Sequence, residues 1–127
     1  MLNFTPDIQG DANEIDSNLL NGTGNTSISI SGDTNTITRN LATGGTGGAG
    51  VGYGFQVTSS ANGNIFRENT ASGKWLNGFR IDGTNNLFET NTATNCGIGS
   101  SFDGCGFRFV NDANANILIG NVASGNR

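Results

Sequence analysis

The feature that most constrains this chain is an internal repeat. Gly78 to Asn95, GFRIDGTNNLFETNTATN, and Ser27 to Thr43, SISISGDTNTITRNLAT, align without a gap. Ile28 falls on Phe79, Ile30 on Ile81, Ile37 on Phe88, Asn40 on Asn91 and Ala42 on Ala93. A spacing that recurs with its side-chain character intact decides the architecture before any local propensity does.

Extending the template yields five copies. The first runs through Phe4, Ile15, Asn18 and Leu20, and the third through Phe55, Val57, Phe66, Asn69 and Ala71. The fifth has Phe107, Phe109, Leu118, Asn121 and Ala123. Asparagine is common here, yet two complete columns at a fixed offset are not composition alone. They are Asn13, Asn35, Asn64, Asn86 and Asn116, then Asn18, Asn40, Asn69, Asn91 and Asn121. The copies start near 4, 28, 55, 79 and 107, and the interval from first to second apolar residue alternates between 11 and 9. The alternation reads as a duplicated two-coil unit within one domain spanning 1–127.

Each copy opens on an alternating F-x-V or F-x-I, the period of a strand rather than a helix. Strands this short, broken by Asn, Gly and Ser, bury a face only when stacked coil on coil at about 4.8 Å per step. The expectation is an all-β parallel solenoid of five coils. Phe4, Ile28, Phe55, Phe79 and Phe107 form one internal column; Ile15, Ile37, Phe66, Phe88 and Leu118 form a second; small alanines line the third side. The Asn columns are expected at the bends, bonding to neighbours one coil away and tolerating left-handed backbone. Gly54, Gly78 and Gly106, each just before a coil-opening Phe, are expected to supply turn geometry.

The pattern N-x-[I/F/L]-x-x-N-x-A followed by G-F-x-[V/I/F] resembles the right-handed parallel β-helix repeats of the pectin-lyase-like superfamily, the NosD-like ones above all. The resemblance covers residues 4 to 127 and implies the fold and its right hand. It implies little about function, because the superfamily spans lyases, hydrolases, epimerases, tailspikes and adhesins. NosD-type proteins are linked to copper-enzyme maturation, but with no His and Met1 the sole thioether, no copper-ligand cluster is present.

Two enlarged connections, Thr43 to Gly54 and Thr94 to Gly106, belong to the second and fourth coils. The first holds a formal G-x-G-x-x-G at Gly45, Gly47 and Gly50, but no helix is readable after it and no P-loop Lys follows, so a solvated loop is the better reading. The second holds Cys96 and Cys105, either a disulfide staple or two thiols, and by themselves a weak metal site. Arg80 and Arg108 should stack on the outer face beside Asp82, with Asp103 nearby. Pectate lyases of the superfamily use aspartates around Ca²⁺ and an arginine base. Here the acidic residues are too few for a Ca²⁺ site, and surface ion pairing accounts for the cluster more simply, as it does for Arg67 over Glu89. Tyr53 and Trp75 are the two aromatics able to stack on a sugar ring, with Arg80 and Arg108 as further ligand contacts, although Trp75 serves equally well as a loop cover.

A net charge of −4 with six scattered Lys and Arg gives no basic stripe, which argues against nucleic acid. No stretch has the length or apolarity of a membrane span. The N-terminus shows no signal peptide, and the sequence does not choose a compartment, although an extracellular or cell-surface location is favoured. No cofactor is expected. The first and last coils offer apolar faces, Phe4, Ile15 and Leu20 at one end and Phe107, Phe109 and Leu118 at the other. From Ala123 through Arg127 to Phe4 of a second copy is eight residues, the same as Leu20 to Ile28 and Ala71 to Phe79. The leading expectation is therefore a structural subunit polymerising head to tail into a filament or fibre. The alternative is a carbohydrate-binding adhesin or tail-fibre module, with a polysaccharide lyase, hydrolase or epimerase behind both.

Overall fold

The computed structural model describes residues 5–21, 26–45, 52–99 and 104–127. Phe4, Gly47, Gly50 and Asp103 lie outside these. Five coils each contribute three short strands. They are β1 (Asp7–Ile8), β2 (Glu14–Asp16) and β3 (Leu19–Asn21), then β4 (Ile28–Ile30), β5 (Thr36–Thr38) and β6 (Leu41–Thr43). The third coil has β7 (Phe55–Val57), β8 (Ile65–Arg67) and β9 (Thr70–Ser72). The last two have β10 (Phe79–Ile81), β11 (Leu87–Glu89) and β12 (Thr92–Thr94), and β13 (Phe107–Phe109), β14 (Ile117–Ile119) and β15 (Val122–Ser124). Equivalent strands stack in parallel into three five-stranded sheets, ordered β1-β4-β7-β10-β13 and likewise for the second and third strand of every coil.

The interior follows the apolar columns. Phe79 lies opposite Phe55 and Phe107, and Phe88 opposite Phe66 and Leu118. Phe55, Phe79 and Phe107 stack nearly parallel with centroids 4.7 and 4.6 Å apart, and Phe66 and Phe88 at 4.8 Å. The ring spacing equals the strand spacing, so one coil step satisfies the backbone ladder and the aromatic stack together. Ala42, Ala71 and Ala93 line the third wall and are fully buried.

The narrow third wall explains the glycines differently from expectation. Gly54, Gly78 and Gly106 are not among the residues with positive φ. A Cβ on Gly54 would come within 2.7 Å of Ala71 Cβ, and one on Gly78 within 2.8 Å of Ala93 Cβ. Close approach of sheets, not turn conformation, requires glycine there.

The left-handed backbone likewise falls elsewhere than expected. It belongs to the residue before each ladder asparagine: Ala12, Thr34, Gly63, Asn85 and Ala115 in one column, and Ser17, Arg39, Glu68, Thr90 and Gly120 in the other. The asparagine holds the corner by its side chain.

The first coil departs from the sequence expectation in register. Asp7 pairs with Ser29 and Ile8 with Ile30. Continuing by one residue puts Pro6, not Phe4, opposite Ile28. Pro6 accepts a hydrogen bond from Ser29 N at 2.9 Å, but it cannot make the donation to the next coil that Ile28, Phe55 and Phe79 make from the same position. Counted from Pro6, the interval to Ile15 is 9 rather than 11, and the spacing from Ala123 into a second copy is 10 rather than 8.

Candidate functional site

The last coil presents to solvent the positions that interior coils bury. Phe66 and Phe88 are fully buried, whereas Leu118, next in their column, is 45% exposed. Phe109 continues the column of Ile30, Val57 and Ile81 and is 40% exposed, although those three are fully buried. Ile117, Ile119 and Val122, on the outer faces of the same coil, are more than half exposed, extending the apolar surface around the rim. At the opposite end Ile8, Ile15 and Leu20 are half-buried and pack on the core from one side. Of the expected self-association residues, then, Ile15, Leu20, Phe107, Phe109 and Leu118 lie on the two end coils. Ile8 was missed because a first coil begun at Phe4 leaves it out of the column of Ile30, Val57, Ile81 and Phe109.

The asparagine ladders give these ends a direction. In the first, each backbone N–H donates to the side-chain oxygen one coil on: Asn13 N to Asn35 Oδ1, Asn35 N to Asn64 Oδ1, Asn64 N to Asn86 Oδ1 and Asn86 N to Asn116 Oδ1, all at 2.7–2.9 Å. The second ladder repeats this through Asn18, Asn40, Asn69, Asn91 and Asn121. The side-chain amides reach back, as when Asn116 Nδ2 donates to Gly83 O and Asn121 Nδ2 to Phe88 O. The polarity leaves donors, Asn116 N–H and Asn121 N–H, on the C-terminal coil. It leaves acceptors, Asn13 Oδ1 and Asn18 Oδ1, on the N-terminal coil.

The lateral cluster expected around Arg80 is real but closed on itself. Arg80 lies opposite Arg108 in register. Its guanidinium sits 5.2 Å from the Tyr53 ring centroid, donates to Tyr53 Oη at 2.7 Å and pairs with Asp82 at 3.3 Å. Tyr53 is only 5% exposed, so it is no open platform for a sugar. Trp75 is half-buried; a Cβ on Gly52 would fall 2.7 Å from Trp75 Cβ, and Gly99 lies directly against the indole. It packs between Gly52 and Gly99, one described residue from each enlarged connection. The expected Arg67–Glu89 pair forms at 2.6 Å. Among the described residues no group of three His, Cys, Asp or Glu is placed to hold a metal ion.

A third corner carries a column that sequence reasoning missed, although it had singled out Cys96. The residues after Gly73, Asn95 and Gly125, all left-handed, are Lys74, Cys96 and Asn126. Asn126 behaves as a ladder residue, accepting from Cys96 N at 2.9 Å and donating to Ala93 O at 2.9 Å. Cys96 copies the role weakly, with its thiol 3.8 Å from Ala71 O. Cys96 and Cys105 are free thiols. Burial pushes the Cys96 pKa up, against the pull of the Lys74 backbone hydrogen bond. Lys74 is fully buried and donates from Nζ to Ser27 Oγ at 2.8 Å and Gly44 O at 2.6 Å, tying the third coil to both ends of the second. Burial pushes its pKa down to about 8, partly offset by Cys96. The alignment of Lys74 with Cys96 and Asn126 was the available signal, hidden because the three differ in chemistry.

Comparison with known proteins agrees with this geometry. The family model described as the right-handed beta helix region matches residues 7–127. No curated protein and no solved structure gives a significant match. With parallel coils, three sheets and asparagine ladders running over the matched span, the chain belongs to the right-handed β-helix family.

Proposed function

We propose that this chain is a structural β-solenoid module that assembles end to end with further copies of itself. The supporting observation is the C-terminal coil, where Leu118 and Phe109 stand 45% and 40% exposed in columns that interior coils bury completely. Full burial of an exposed side chain of this size is worth roughly 1.5–3 kcal/mol, so each of these, already more than half buried, gains about 1 kcal/mol. The β13, β14 and β15 edges also carry unpaired ladder groups, which favour strand addition. A head-to-tail contact between unlike ends repeats without closing, and its product is a filament.

Sedimentation velocity over a concentration series tests this reading. The wild-type chain is expected to form species larger than 13.1 kDa that grow with concentration. Leu118→Asp is expected to stay monomeric with an unchanged far-UV spectrum, because its charge is solvated in the monomer and buried at the junction. A wild-type chain that sediments as a single monomer at every concentration overturns the proposal.

A further inference from the structure

We infer that two copies stack in the repeat's own register, with the first coil of one copy seated as a sixth coil on the last coil of the other, so that Asp7 lies over Arg108. This rests on the end-to-end reading above and specifies how the ends meet.

The register follows from the strand pairings. Asp7, Ser29, Gln56, Arg80 and Arg108 form one outward column. Adding a copy in the same register brings the column back to Asp7 immediately after Arg108. A carboxylate of the added copy then sits next to Arg108 at the end of the column, opposite in charge to it. Asp7 is exposed, and its contacts to Gln9 Nε2 at 2.8 Å and Ser31 Oγ at 3.3 Å are both with neutral donors.

The interior columns continue as well. Ile8 falls over Phe109, Ile15 over Leu118 and Leu20 over Ala123, each an apolar residue on an apolar one. The ladders continue in the same step. Asn116 N–H meets Asn13 Oδ1 and Asn121 N–H meets Asn18 Oδ1, donor to acceptor at both corners. Both pairs are five residues apart along the chain, so a single placement satisfies both. A slide of one residue along the coil turns the apolar side chains outward and breaks both ladders together. The reverse placement, C-terminal coil on C-terminal coil, sets donor against donor and Arg108 against Arg108. Opposite charges at a rim select among such placements more than they add affinity.

Charge reversal across the junction is the test, read as the association constant by sedimentation. Asp7→Lys and Arg108→Glu are each expected to weaken assembly by about 3- to 30-fold. The double variant, carrying both changes in one chain, is expected to recover to within about 2-fold of wild type, because each junction again pairs opposite charges. If the wild-type chain assembles and the two effects simply add, this register is wrong while end-to-end assembly stands. If it does not assemble, both inferences fall.

Discussion

At the scale of single residues, the corners hold the fold. Asn69 accepts from Asn40 N and Asn40 Nδ2 and donates to Ile37 O and Asn91 Oδ1, all at 2.8–3.0 Å in a fully buried position. Asn69→Leu leaves several of these groups unsatisfied at about 1–3 kcal/mol each, so chemical denaturation should register a loss of more than 3 kcal/mol. Lys74 makes a different prediction. Its pKa is lowered from 10.5 to about 8, so between those values the unfolded chain binds more protons than the folded one. Stability should therefore rise with pH across that window, by up to about 3 kcal/mol, the full cost of the buried charge being felt below pH 8. Lys74→Met should lack this rise, and urea unfolding of the two proteins at pH 7.5 and 10 checks it. The asparagine columns were legible in the sequence because one residue type recurs. The left-handed position before them was not, since Ala12, Ser17, Arg39, Glu68 and Thr90 share a backbone state and no chemistry.

At the scale of elements, the three walls differ in width. Two are built from Phe and Ile columns, and the third from Ala42, Ala71 and Ala93, the last two facing Gly54 and Gly78, the glycines that open their own coils. Gly78→Ala would set its Cβ 2.8 Å from both Ala93 Cβ and Gly106 O, and an overpacked contact of this kind should cost about 1–3 kcal/mol by thermal or denaturant unfolding. Strand periodicity and coil spacing exposed the stacked columns in the sequence, down to Arg67 facing Glu89. They misplaced the first strand by two residues. Phe4 offered the larger apolar side chain, and Pro6 at the true position carries none of the pattern's signal. Backbone pairing of Asp7 with Ser29 decided the matter.

At the scale of the whole molecule, the solenoid is directional. Every ladder N–H points toward the C-terminal coil, so the two ends are chemically different and complementary. The sequence disclosed that both ends are apolar. It did not disclose the polarity, which depends on which asparagine atom faces which coil, nor the match of Asp7 with Arg108, which depends on the corrected register. Electron microscopy of the purified chain is the most direct measurement. Fibres with an axial repeat near five strand spacings, about 24 Å, are the result predicted for copies stacked coil on coil. Uniform small particles at every concentration, with no fibres, would contradict end-to-end assembly.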